Sequence, residues 1–245
     1  MFHTIFYEPI YNLLVIFLQI VPLHDIGASI ILITIVVKGL LLPLNLSAMK
    51  GQYVIKSLDG ELKELKEKYK NNPQELSKKT MEIYKREKIN PLSSLLVMII
   101  QIPIFIALYF VFRNGIKLDT TSLYSFVSFP NILHIEAFGV LDVTKRSLIV
   151  AIITGISAYV LARRQTVSMK SDKKPHEETF RDHFMKSMRV QLLYVLPIII
   201  GMSAFVLPAA LGLYWITNNV VSYFQDMYIK HHLSKNVLSK IEVVI

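Results

Sequence analysis

The sequence predicts an all-α integral membrane protein: five transmembrane helices, an N-terminal amphipathic helix in the interface, and a cytoplasmic two-helix hairpin. Three observations carry this reading. Hydrophobic residues fill 53% of the 245 positions and charged ones only 18%, against about 25% charged in ordinary soluble domains. The apolar residues gather into runs near the length of about 20 that crosses a bilayer. The basic residues are segregated: residues 1–37 carry no Lys or Arg, whereas 47–90 hold 11, 163–189 hold 8 and the stretch from Lys230 holds 3 of the 27. The positive-inside rule places those three blocks in the cytoplasm.

Each element follows in order. In residues 2–21, Phe2, Ile5, Phe6, Ile10, Leu13, Leu14, Phe17, Leu18 and Val21 form one helical stripe, with His3, Thr4, Glu8, Asn12 and Gln19 mostly off it. That pattern suits a helix lying in the interface; the alternative is a sixth span, against which Glu8 and Pro9 weigh. The first span covers 26–46, is interrupted by Lys38 and ends near Pro43. A cytoplasmic hairpin fills 47–90, with Leu58, Leu62, Leu65 and Tyr69 at helical spacing and Leu76, Thr80, Ile83 and Tyr84 repeating the pattern. Between them, Asn72-Pro73-Gln74-Glu75 reads as a helix start. Asn72 is the N-cap, Pro73 loses no needed donor at the first helical position, and Glu75 can close a capping box.

A second span runs over 92–112 and an external loop over 113–144, with Arg113, Lys117 and apolar Phe126, Phe129, Leu133 and Phe138. The third span, 146–162, ends at Arg163-Arg164. A cytoplasmic loop, 163–189, contains Lys173-Lys174-Pro175. Spans four and five, 190–207 and 209–229, are separated only by Pro208, and a cytoplasmic tail covers 230–245. Five spans put the N-terminus outside and the C-terminus inside. The whole chain, 1–245, reads as a single domain.

Several chemistries are excluded or weak. There is no cysteine, hence no disulfide, thiolate chemistry or Cys-based metal site. No cofactor is implied, and the histidines, including His231-His232, lack metal-ligand spacing. A P-loop is absent, so no nucleotide hydrolysis is implied. Nucleic-acid binding does not suit basic blocks that interleave Glu and Asp without an aromatic stacking platform. Gly155-Ile156-Ser157 and Gly201-Met202-Ser203 are reminiscent of an intramembrane serine protease, but no histidine stands in a clear span to act as base. No catalytic residue is assigned.

The informative residue is Lys38. An ionised lysine at a span centre costs about 2.5–3.5 kcal/mol on insertion scales. Gly39 to Leu44 add further apolar sequence beyond it, which makes full snorkelling to the interface awkward. Thr34, four residues earlier, shares its helix face. Gln101 in span two and Tyr214, Thr217, Asn218 and Asn219 in span five are further intramembrane polar groups. Each taken singly suits interhelical packing. Together with Lys38 they suit a wet, positively charged groove.

The motifs accumulate into a resemblance to the YidC-type membrane protein insertases, over nearly the whole length. Thr34-Ile35-Val36-Val37-Lys38 continuing to Leu42-Pro43-Leu44 looks like that family's first core span with its buried basic residue. Lys88-Ile89-Asn90-Pro91, followed by Gln101-Ile102-Pro103-Ile104-Phe105-Ile106-Ala107-Leu108-Tyr109, is the most recognisable stretch. Pro208 and Leu213-Tyr214-Trp215-Ile216-Thr217-Asn218-Asn219 look like its last span. The family's usual arginine is Lys38 here, which keeps the charge but not the planar fork of donors. Ala162 stands where relatives often carry glutamine. The large periplasmic domain of some relatives has no counterpart in these 245 residues.

The resemblance implies a bacterial inner-membrane insertase and chaperone. It would move hydrophobic segments and short polar tails from cytoplasm to bilayer through a charged groove, without ATP. It implies nascent membrane proteins and lipid as partners, with the ribosome, targeting factors and the general translocon as further candidates. Lys38, Thr34, Gln101, Tyr214, Trp215, Thr217 and Asn219 would line the groove. The alternative from another class is a small anion transporter or channel that uses Lys38. Broken half-helices or an internal repeat would favour it, and neither is seen in the sequence.

Overall fold

The computed structural model describes residues 1–90, 92–113, 121–130, 136–166 and 187–242. Pro91, Lys117, Leu133, the Lys173-Lys174-Pro175 segment and most of the loop expected at 163–189 lie outside the described residues. What is described is predominantly helical, with a two-residue β-hairpin as its one sheet among the described residues. The chain separates into two compact units, one of Met1–Lys38 with Pro103–Phe224 and one of Gly39–Ile102 with Gln225–Ile245.

The first unit begins with a π-helical turn, His3–Tyr7, that runs into α1, Glu8–Ile20. Tyr11, Leu14, Val15 and Leu18 are fully buried, and so is Asn12. This differs from the expected stripe, because Phe2 and Ile5 are exposed while the polar Asn12 is inside. Asn12 is served on every side that matters. Its Nδ2 donates to the Ser122 carbonyl at 2.7 Å and the Glu8 carbonyl at 2.8 Å, and its Oδ1 accepts from the Tyr124 amide at 2.7 Å. One amide side chain thus fastens the 121–130 segment to α1. Gln19, at the far end of the helix, donates to the Ser128 carbonyl and hydroxyl.

A tight turn, Pro22–His24, follows, with Leu23 and His24 both at positive φ. Asp25 then serves two elements. Its Oδ1 accepts from the Ala28 amide at 2.8 Å and caps α2, Ile26–Leu40, while its Oδ2 accepts from the Phe138 amide. Phe138 belongs to the hairpin of β1, Glu136–Ala137, and β2, Leu141–Asp142, which pair antiparallel. Its turn has positive φ at Phe138 and Gly139, as a type I′ turn requires. Asp142 accepts from the Thr144 amide and hydroxyl and pairs with Lys145 at 2.9 Å. The Thr144 hydrogen bond first, and then Lys145, pull its carboxyl down to about 2.

Beyond the hairpin, α7 covers Leu148–Thr166 and α8 covers Ser187–Val206. Between α2 and these, in chain order, come α3 (Leu42–Ser57), α4 (Asp59–Lys68), α5 (Pro73–Arg86) and α6 (Leu92–Arg113). Helix α8 contains a π-helical segment, Gln191–Val195. Helices α7 and α8 approach at a glycine seam: a Cβ on Gly201 would stand 3.3 Å from the Gly155 Cα and 3.4 Å from the Ala151 carbonyl. Small residues let helix backbones come this close in an apolar solvent. Helix α9, Ala209–Glu242, starts where the Ala209 and Ala210 amides donate to the Lys145 and Val143 carbonyls at 2.8 and 3.0 Å. Two of its orphan N-terminal donors are thereby satisfied. Gly212 lies flat against Val150 and Thr154 of α7.

In the second unit, α4 and α5 are joined through Asn72, whose side chain accepts from the Glu75 amide at 3.1 Å. The N-cap read from the sequence is where it was expected. Arg86 grips Glu61 with two hydrogen bonds, 2.9 and 2.6 Å, and these hold the Glu61 carboxyl below its ordinary value. Leu62 and Ile83 are the buried apolar residues of this pair. Helix α9 continues well past Ile229, with Lys230 pairing to Asp226 at 3.0 Å one turn back. No Gly or Pro interrupts the sequence there, and an i,i+4 ion pair supports the extension.

Helices α7 and α8 are each long and apolar enough to cross a membrane. Only 22% and 11% of their most apolar windows are buried, so both present apolar side chains outward. Helices α2 and α3 pass the same test only as a pair, broken between Leu40 and Leu42. The sequence placed the end of this span near Pro43. A proline clashes with the carbonyl four residues before it, so the break falls upstream and Pro43 sits in the first turn of α3.

Candidate functional site: a buried lysine on the polar face of a long helix

Lys38 is in the last turn of α2 and only 8% exposed. Its Nζ donates to Ser222 Oγ of α9 at 2.8 Å, and that hydroxyl donates to the Asn218 carbonyl at 2.7 Å. Ser222 is its only hydrogen-bond partner among the described residues. An ammonium carries three N–H donors, so two remain for water or a ligand. Apolar sequence on both sides of Lys38 builds the helix that holds it there.

Thr34 is buried one turn earlier and returns its hydroxyl to the Ile30 carbonyl at 2.6 Å. It lines a narrow pocket with Val37, Ile104, Leu108 and the buried Tyr214. Tyr214, Asn218 and Ser222 recur at four-residue spacing and so share one face of α9. The structure therefore brings Lys38, Thr34 and Tyr214 to a common region. Trp215 is on a neighbouring face, stacked on Phe105 with centroids 5.0 Å apart. Thr217 is buried and bonds back to the Leu213 carbonyl at 2.9 Å. Asn219 faces α7: its Nδ2 donates to Ser157 Oγ at 3.0 Å. Gln101, half-buried, belongs to the second unit.

Three hydroxyls escaped the sequence reading as members of this network. Ser222 holds the lysine, and the signal for it was the four-residue spacing from Asn218. Ser157, noted only as a weak nucleophile candidate, donates to the Thr154 carbonyl at 2.8 Å and accepts from Asn219. Thr154 is fully buried, donating to the Val150 carbonyl at 2.7 Å and reaching the Gly212 carbonyl at 3.3 Å. The Thr154–Gly212 and Asn219–Ser157 bonds tie α7 to α9, and among the described residues the Ser157 partners are a carbonyl and an amide, neither of them a base. Among the described residues no group of three or more His, Asp or Glu converges in a way that would hold a metal ion.

Outward-facing apolar helices around a buried ammonium and a file of hydroxyls and amides define a helical membrane protein with a polar interior site. Residues 16–236 match the family described as 60Kd inner membrane protein, and the chain belongs to that family. A relative from Fusobacterium nucleatum is 33% identical over 227 residues, covering 90% of this chain and 96% of its own length. One from Oceanobacillus iheyensis is 31% identical over 210 residues, 83% of this chain and 73% of that protein. A third, from Shewanella woodyi, is 32% identical over 230 residues, 94% of this chain but 37% of its own length. All three carry the name Membrane protein insertase YidC. The chain thus spans little more than a third of the Shewanella relative and nearly all of the Fusobacterium one.

Proposed function

We propose that this chain is a membrane protein insertase that passes hydrophobic segments and short polar tails of nascent proteins from the cytoplasm into the bilayer. The observation that carries the reading is a buried ammonium with one protein partner among the described residues and two donors to spare, in a chain whose relatives are named insertases. On this reading water reaches the two spare donors of Lys38 and shortens the distance over which an acidic client tail is out of water. Lys38 pairs transiently with such a tail, while Thr34, Tyr214, Thr217, Asn219 and Trp215 line its path. The client supplies the driving force. Each central Leu-type residue gains about 0.3–0.6 kcal/mol on entering the bilayer, and the membrane potential acts with about 2.3 kcal/mol per charge per 100 mV.

In this reading the chain forms five spans with α1 in the interface, its N-terminus outside and its C-terminus cytoplasmic. The basic α3–α5 segment receives clients, with ribosomes, targeting factors or the general translocon delivering them. The deciding experiment is insertion of a single-span client with an acidic tail into vesicles, read by protease protection. Lys38→Ala lowers insertion and Lys38→Arg retains it; undiminished insertion by the alanine variant overturns the role given to Lys38. Anion flux through the purified protein without insertion would instead favour a channel. Deleting residues 52–88 with client crosslinking intact would remove the receiving role of the helix pair.

A further inference from the structure

A long apolar groove runs along the outer side of the α7–α8 seam, about 630 Å³ in volume. Its floor is Gly155 and Gly201, and its walls are Ile152, Ile156, Ile198 and Met202, all but the glycines half exposed or more. The groove exists because the two glycines draw the backbones together while the flanking side chains stand away from the seam. It is well within the size range of ligand sites, and it is remote in composition from the Lys38 region, having no charged lining residue.

Its chemistry is asymmetric. One end is closed by Tyr159 and Tyr194, whose rings are 6.0 Å apart. Aromatic residues of this kind sit at the level of lipid headgroups. One turn beyond Tyr159 on α7 comes Arg163, which is exposed. On α8, which contains the π-helical segment Gln191–Val195, Arg189 stands five residues before Tyr194, toward the same end of the seam. The Arg189 Nε is buried and has no hydrogen-bond partner among the described residues. Arg164 is engaged elsewhere, its guanidinium 4.9 Å from the Tyr223 ring. The tyrosine end of the trough therefore points toward the helix ends that carry Arg163 and Arg189.

We propose that this groove binds one anionic phospholipid from the leaflet on the arginine side. Its phosphate lies between Arg163 and Arg189 and one acyl chain lies along Tyr159, Ile156 and Ile152. The dimensions agree: half of a hydrocarbon core of about 30 Å is about 15 Å, or about ten residues of helix. Measured back from Arg163, that depth reaches the middle of the groove at Ile153. Arginine suits the site because its planar fork can take two phosphate oxygens at once.

The test uses the full-length protein in detergent and native mass spectrometry, with dioleoyl phosphatidylglycerol, dioleoyl phosphatidylcholine, dioleoylglycerol and inorganic phosphate as probes. Each arginine near a lipid surface contributes about 1 kcal/mol, so two favour the anionic lipid over the zwitterionic one by about thirtyfold. Arg163→Gln with Arg189→Gln erases that preference. Ile198→Trp, which fills the trough, lowers retention of phosphatidylglycerol with both arginines in place; Met202→Trp repeats the test should the first variant fail to fold. Equal retention of the two phospholipids, or a preference that survives the double arginine variant, overturns the proposal. Displacement of the lipid by inorganic phosphate alone, or a stable dimer that Ile198→Trp separates, overturns it as well.

Discussion

Lys38→Met separates what the ammonium costs the fold from what it does. Lys38 is nearly buried and makes one hydrogen bond among the described residues, to Ser222. A lysine at a span centre costs about 2.5–3.5 kcal/mol on insertion scales, and a hydrogen bond to a charged group returns about 1.5–3 kcal/mol. The balance is a deficit of about 0–2 kcal/mol. Methionine fills a similar volume with a flexible apolar chain, and Ser222 keeps its bond to the Asn218 carbonyl, so no donor is orphaned. The variant is expected to match the native protein or exceed it by up to about 2 kcal/mol, with about 2–4 °C in Tm for each kcal/mol at this chain length. Thermal unfolding in detergent reads that term, and vesicle insertion of an acidic-tailed client reads the other, which falls. A variant that melts several degrees lower would make the lysine a structural strut; unchanged insertion would remove it from the client path.

Three further outcomes follow from the geometry. Gly212→Ala drives a Cβ into Val150 and to 3.2 Å from Thr154 Oγ1; both neighbours are β-branched and stiff, so about 1–3 kcal/mol is lost. Gly39→Ala, with nothing within 4 Å, is the control, and thermal unfolding that ranks the two alike would refute the packing argument. Asn12→Ala leaves the Ser122 carbonyl and Tyr124 amide unserved, at about 1–3 kcal/mol for each buried group. Amide exchange is then faster in 121–128 while α7 and α8 keep their protection. Asp142 titrates low in the folded chain, at about 2, against about 3.9 when unfolded. Its contribution is therefore present above about pH 4 and is lost as pH falls toward 2. Asp142→Asn lacks that acid-dependent loss, and superimposable melting profiles from pH 5 to 2 would contradict it.

Local signals were the most legible. Asn72-Pro73 fixes the start of α5 because a cap needs only neighbours three residues away. The α1 stripe was legible in part: Ile10, Leu14, Leu18 and Val21 are buried, whereas Phe2 and Ile5 are exposed and Asn12 is buried, since the pattern cannot show that a polar side chain brings its own partners. Lys38 stood out because a charge in an apolar run is costly wherever it points. Ser222 did not, since a serine in a helix is unremarkable until a partner 184 residues away arrives at 2.8 Å. The break at Leu41 was misplaced by a few residues, because proline stops the helix before itself. Whether Gln101 joins Lys38 was beyond the sequence, which records the polarity of a side chain but not the unit it falls in.

The spare donors on Lys38 also bear on how a membrane with such a protein in it stays tight. A recess wet enough to hydrate an ammonium is a weak point in the barrier between two ionic solutions. A fixed positive charge at its floor repels protons and metal cations, as positive groups do in selective water pores, while leaving the approach of carboxylates favourable. On the proposed insertase reading, the residue that meets a client's acidic end would thus also guard the cation gradient.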